Sequence, residues 1–368
     1  VAQPVIGELE TRYVLEALKE GEVSSRGRFV TAFEDQFAAM AGARYGVATC
    51  NGTCALHLAL LAAGIGPGDE VLVPSLTFVA TANAVRYVGA TPVFVDILPN
   101  YWGIDPDQVS QKITAKTRAI IPVHLYGHPV EMDSIIEIAR ENGLSVIEDA
   151  AEAHGATYKG RPVGALGTAG IFSFFGNKIM TTGEGGMLVT NDALVAERAR
   201  QFRDHGSDPE IRYWHPVIGY NYRMTNLQAA LGLAQLEQLD GFLARKREIA
   251  DLYHRILGAV PGLVPQSEET WASPVHWMVS LLVKPGRGVS RDTLMQALKE
   301  KNIETRPFFH PMHTLPPYRG PDAGPCPVAE EVASQGINLP SGVPLTDQDV
   351  ERVSNQIREF CWQDREAR

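Results

Sequence analysis

From Asp69 to Asp192 the chain alternates short aliphatic runs with helix-patterned stretches. DEVLVPS, TPVFVDI, TRAIIPVHLYG, LSVIEDAAEA, AGIFSFFG and GGMLVTND read as buried strands. FVATANAVRYVG and EMDSIIEIARENG, set between them, carry helical periodicity. Strands buried on both faces and joined through helices predict an α/β fold around a mostly parallel sheet. Crossovers between such strands are right-handed by default.

The pattern changes after Thr225. NLQAALGLAQLEQL and ARKREIADLYHRIL read as helices separated by a break at Asp240–Gly241. Beyond them come a strand, VHWMVSLLV, a helix, SRDTLMQALKEKN, a proline-rich stretch, RPFFHPMHTLPPYRGP, and a last helix, TDQDVERVSNQIREFC. With 368 residues the chain exceeds one ordinary core. The expected division is a large domain over 1–245 and a smaller α+β domain over 246–368.

The composition, 45% hydrophobic and 21% charged with a net charge of −10, is that of a globular protein without a basic nucleic-acid face. No run of about 18 apolar residues predicts a membrane span. The first residues carry charges throughout, so the expectation is no signal peptide, no membrane and a cytoplasmic protein. Four cysteines without CxxC spacing read as reduced thiols. His310 and His313, in HPMH, lack an acidic or cysteine partner nearby, so no metal is expected.

Ligands of open α/β sheets bind beyond the carboxyl ends of the strands. There the sequence delivers His124 and Tyr126, Glu148, Asp149 and Glu152, then Ser173, Asn177 and Lys178. The NGT turn at 51–53 adds Gly52, the Thr53 hydroxyl and a helix N-terminus suited to phosphate. A lysine, a strand-end acid and a phosphate cradle fit pyridoxal phosphate. That cofactor couples its aldehyde to a lysine amine and needs a carboxylate at its pyridine nitrogen. Asp149 supplies the carboxylate, Ser173 and Thr53 face the phosphate, and Phe78 covers the ring. Each residue has a plainer reading as well: Asp149 as a helix cap, Thr53 as a helix start, Lys178 as a solvated lysine.

With these residues assembled, the chain resembles the DegT/StrS nucleotide-sugar aminotransferases. The resemblance rests on NGTCALHLAL, GPGDEVLVPSLTFVATANAV, VHLYG, VIEDAAEAHGA, FSFFGNKIMTTGEGGM, GYNYRMTNLQAALGLAQL and RPFFHPMH, in order. It implies a type I aminotransferase fold, like that of aspartate aminotransferase, and pyridoxal 5'-phosphate as cofactor. It further implies a homodimer with composite active sites, L-glutamate as amino donor and a nucleotide-linked keto-6-deoxy sugar as acceptor, aminated at C4 or, as the alternative, at C3. In its terms Lys178 and Asp149 are catalytic, and Gly52, Thr53, Phe78, Glu152, Ser173 and Asn221 complete the cofactor site, Asn221 from the partner subunit. Many members carry Gln where Glu152 stands, and a glutamate must be protonated to donate a hydrogen bond there. Arg26, Arg28, Tyr213, Trp214, Arg223, Arg306 and His310 are the substrate candidates. The related dehydratases resemble this chain but replace the lysine with histidine, and Lys178 argues against that chemistry. A non-catalytic regulator on the same fold would have lost Lys178 or Asp149.

Overall fold

The structure, a computed structural model, describes residues 2–286, 289–320 and 323–366. Seven strands form the main sheet: β1 (Tyr45–Thr49), β2 (Glu70–Pro74), β3 (Thr91–Val95), β4 (Thr117–Ile120), β5 (Ser145–Asp149), β8 (Ala169–Ser173) and β9 (Gly186–Thr190). Two short strands, β6 (Thr157–Tyr158) and β7 (Arg161–Pro162), form a ribbon between β5 and β8. The order across the sheet is β1-β9-β8-β5-β4-β2-β3. All neighbours from β8 to β3 pair in parallel, and β9 runs antiparallel to both β8 and β1. The mostly parallel sheet expected from the aliphatic runs is therefore present. β1, YGVAT, was passed over in the sequence because it adjoins helical segments and lacks a matching run after it.

Helices cover the sheet: α1 (Glu8–Glu20), α2 (Arg28–Met40), α3 (Gly52–Ala62), α4 (Ala80–Tyr87), α5 (Pro106–Gln111), α6 (Met132–Asn142), α7 (Ala193–Arg203) and α8 (Asn226–Leu236). α3 is apolar almost all round, and eight of its eleven residues are buried. A helix of that kind belongs inside a core rather than at its rim. Its start is fixed by Asn51, whose Oδ1 accepts the Cys54 N–H at 2.8 Å.

The break between helices falls at 237–238, three residues before the expected one, and α9 (Leu239–Leu257) runs through Asp240 and Gly241. Gly241 sits with open space around it, so nothing there forces the chain to turn. Beyond α9, the strands β10 (Leu263–Pro265), β12 (Val279–Val283), β13 (Arg306–Pro307) and β14 (Gly336–Leu339) make an antiparallel sheet, while β11 (Ala272–Ser273) joins the β6–β7 ribbon. α10 (Arg291–Glu300), α11 (Pro327–Gln335) and α12 (Asp347–Glu366) complete the chain. We propose a division near 245, within α9. Leu239 and Phe242 belong to the large hydrophobic cluster, whereas Ile249, Tyr253 and Leu257 pack with β12, β14 and α12 in a second one.

Candidate active site

The carboxyl ends of the parallel strands open onto a cavity of about 790 Å³. Its wall brings together Gly52, Thr53, Phe78, Asp149, Glu152, Ser173, Lys178 and Arg306. Strand alternation explains part of this convergence. Phe172 and Phe174 are buried against Phe37, while Ser173 between them faces the cavity. Phe175, two residues after Ser173, keeps the alternation: it is 48% exposed and lines the cavity.

Lys178 lies at the floor with its side chain only 11% exposed. Its Nζ lies 3.6 Å from Glu152 Oε1 and 3.8 Å from the centroid of the Trp277 ring. Burial lowers the amine's pKa, and the carboxylates of Glu152 and Asp149 oppose that shift. Burial also raises Asp149 and Glu152. The Thr81 hydroxyl, 2.8 Å from Asp149 Oδ2, and the Ala151 N–H, 3.2 Å from Oδ1, resist the rise at Asp149. Lys178 and the Tyr126 N–H do the same for Glu152. The site thus holds an amine and two carboxyl groups whose ionic forms depend on one another, a setting suited to proton transfer.

The loop after β4 places Glu152. Tyr126 has φ +55°, a conformation rare for a bulky residue, and so aims its N–H at Glu152 Oε2, 2.8 Å away. Beneath the site, Glu148 accepts N–H bonds from Gly164, Leu166 and Gly167 at 2.7 to 2.9 Å and faces His124 Nε2 at 3.2 Å. Val130 N–H donates to His124 Nδ1, so Nε2 carries the proton and donates to Glu148. The His124 backbone N–H in turn donates to the Asp149 carbonyl at 3.1 Å.

The segment after Lys178 is held by its two threonines. Thr181 Oγ1 donates to the Phe174 carbonyl at 2.9 Å and accepts the Gly183 N–H at 2.9 Å. Thr182 Oγ1 donates to the Glu184 carbonyl at 2.6 Å. The Asn177 carbonyl accepts the Trp277 indole N–H at 2.7 Å. These bonds fix the loop on both sides of the lysine.

At the opposite wall, Asn51, Gly52, Thr53 and Cys54 start α3 beside Ser173. A Cβ on Gly52 would come within 2.8 Å of Ser173 Cβ, and one on Gly186 within 2.5 Å of the Asn51 carbonyl. The two glycines let three backbone segments close into one cradle. First-turn N–H groups and the hydroxyls of Thr53 and Ser173 form a donor set fit for phosphate. Together with a buried lysine and a buried carboxylate across the cavity, these residues fit pyridoxal phosphate.

Other sequence candidates lie outside the cavity lining. Arg28 pairs with Glu16 and Glu20 at 2.8 and 3.0 Å on the surface, and Arg26 is exposed. Arg223 pairs with Asp204 and donates to Asn221 Oδ1. Tyr213 and Trp214 are 80% and 59% exposed. His310 is exposed, whereas His313 is tied between Ser75 Oγ at 2.6 Å and Glu330 Oε1 at 3.1 Å, fastening the proline-rich loop to the end of β2. Residue 321 of that loop lies outside the described residues. Tyr126 and Asn51 line the cavity as well, and so do Trp277, Thr81 and Tyr222, which the sequence did not mark. Asn51, directly before an apolar helix, carried a capping signal; Trp277, 99 residues after Lys178, carried none.

Residues 4–358 match the DegT/DnrJ/EryC1/StrS aminotransferase family, and the chain belongs to it. It is an aminotransferase of the type I fold that uses pyridoxal phosphate. The chain is 48% identical over 360 residues to the GDP-perosamine synthase of Escherichia coli O157:H7, covering 98% of each chain. The structure of DesI in the presence of its TDP-sugar product is 36% identical, with a TM-score of 0.92 over 99% of this chain and 93% of that one. The PLP-form of the putative sugar aminotransferase Spr1654 from Streptococcus pneumoniae is 27% identical, with a TM-score of 0.93 over 99% and 98% of the two chains.

Proposed function

We propose that this protein transfers the amino group of L-glutamate to C4 of GDP-4-keto-6-deoxymannose, giving GDP-perosamine. The observation that carries this reading is the 48% identity to a GDP-perosamine synthase over nearly the full length of both chains. Pyridoxal phosphate supplies an electron sink that makes a proton on the donor's α-carbon acidic. Lys178 would carry the cofactor, and its amine is placed to accept and return a proton at the donor's α-carbon. Its burial supports this role, because a desolvated amine is readily neutral and can accept a proton. Asp149 holds the protonated pyridine nitrogen. A cation there favours the ionised carboxylate that burial alone opposes.

Gly52, Thr53 and Ser173 hold the phosphate, and Phe78 covers the ring from the cavity wall. Glu152 sits between Lys178 and the Tyr126 N–H, and takes the side of the ring hydroxyl. Arg306 lines the same cavity, where its guanidinium suits a diphosphate or a donor carboxylate.

Asn221, Arg223, Tyr213 and Trp214 act in the site of a second copy. Ile211, Tyr213, Trp214 and Ile218, each more than half exposed, support this reading, because such a run is costly to leave in water. Light scattering should give the mass of a dimer.

The test of the reaction is incubation with glutamate and a panel of GDP-, dTDP- and UDP-linked 3- and 4-keto-6-deoxy sugars. The expected product is the 4-amino GDP sugar, identified by mass and NMR. Preferential amination of a dTDP or UDP sugar, or at C3, overturns the assignment.

A further inference from the structure

Cys50 and Cys54 lie at the start of α3 with their sulfurs 3.5 Å apart. Both are half-buried, and Cys54 lines the cavity. The other two cysteines stand apart from them: Cys326 is fully buried, and Cys361 belongs to α12 and the second hydrophobic cluster. Asn51 lies beside the pair. Its Oδ1 accepts the Cys54 N–H at 2.8 Å, and its Nδ2 approaches Cys50 Sγ at 3.8 Å. The residue that starts the helix therefore touches the Cys50 sulfur and the Cys54 backbone N–H. An S–S bond is about 2.0 Å long, so closing it requires an approach of about 1.5 Å along this one turn.

We propose that Cys50 and Cys54 form a dithiol site that closes to a disulfide on meeting a small-molecule disulfide, and that closure loosens the cofactor cradle. Cys50 is the attacking sulfur. Contact with the Cys54 sulfur draws its thiol down to about 7, whereas the same contact and burial push Cys54 up. The Cys50 thiolate attacks one sulfur of RSSR, forming a mixed disulfide and expelling RS⁻. Cys54 then loses its proton, and its sulfur attacks Cys50 Sγ and expels the second RS⁻. Two protein thiols are oxidised, RSSR is reduced to two RSH, and the two protein protons leave with the released thiols. Tightening the turn displaces Asn51 from its cap, and Asn51, Gly52 and Thr53 belong to the cradle wall. This second half rests on the reading that the cavity holds the cofactor; the chemistry of the sulfurs does not.

The test uses holoenzyme exposed to glutathione disulfide, then alkylated and digested with trypsin. No Lys or Arg lies between Arg44 and Arg86, so both cysteines fall in one peptide, 45–86, apart from Cys326 and Cys361. The expected peptide is two hydrogens lighter and unlabelled, and takes two labels after dithiothreitol. In Cys54→Ser the glutathione adduct stays on Cys50. Two labels on peptide 45–86 without dithiothreitol overturn the proposal. In the oxidised protein, cofactor retained through gel filtration should fall about five-fold, the effect of losing one helix cap. A closed disulfide with full retention leaves the thiol chemistry standing and overturns the coupling to the cradle.

Discussion

Lys246 offers a quantitative prediction. It stands in ARKRE, a charge run that reads as a solvated face, yet it is buried and its Nζ donates to the carbonyls of Trp277 and Ser341 at 2.8 and 2.5 Å. Burial pulls the ammonium down to about 7 in the folded protein, against about 10.4 when unfolded. Between those values the unfolded chain binds more protons, so stability rises with pH. The gain is complete above the unfolded value and is lost as pH falls through about 7. One such site changes stability by up to about 1.4 kcal/mol per pH unit. Lys246→Met removes this dependence and leaves two buried carbonyls without a donor, which costs about 1–3 kcal/mol each. Urea unfolding of wild type and variant at pH 7, 8 and 9 measures the difference directly. The wild-type advantage should widen by roughly 2–3 kcal/mol from pH 7 to pH 9. A difference that stays constant with pH would refute the reasoning, because the two carbonyls would then be compensating the ammonium fully.

Glu148→Gln should destabilise the protein by about 2–4 kcal/mol in urea unfolding, since its amide nitrogen must stand in for either the oxygen that accepts from Leu166 and Gly167 or the one that accepts from Gly164 and His124, and cannot accept there. Asp149→Asn should keep the cofactor through gel filtration while kcat falls about 10²–10³-fold, the scale of removing one electrostatic contact to the reacting centre. Near-normal turnover would show that another group holds the pyridine nitrogen. Trp277→Leu removes both the ring under Lys178 and the indole bond to Asn177. A desolvated cation–π contact contributes about 2 kcal/mol, so kcat should fall roughly ten-fold or more with cofactor content unchanged.

The parallel sheet was legible because its strands are short aliphatic runs bounded by turns, a pattern that few other architectures share. Lys178, Asp149 and Ser173 were legible because each ends or follows such a run. β1 was not, since YGVAT holds a single branched aliphatic residue, Val47, and its partner β9 lies about 140 residues further on. Trp277 was hidden for a related reason. It reaches the site only through tertiary contacts with Lys178 and Asn177, while Tyr126 acts through a backbone N–H that any residue type could supply. Lys246 was misleading because burial of a cation is set by tertiary contacts with residues 31 and 95 positions away. The twin threonines at 181 and 182 stood out in the sequence, and only the loop geometry gives them work to do.

The most direct test of the central claim is reduction of the holoenzyme with borohydride, which fixes the cofactor to the amine that carries it. Peptide mapping should find the adduct on Lys178 alone, and Lys178→Ala should lose both the adduct and turnover. An adduct on another lysine, or a Lys178→Ala protein that still aminates the keto-sugar, would contradict the account.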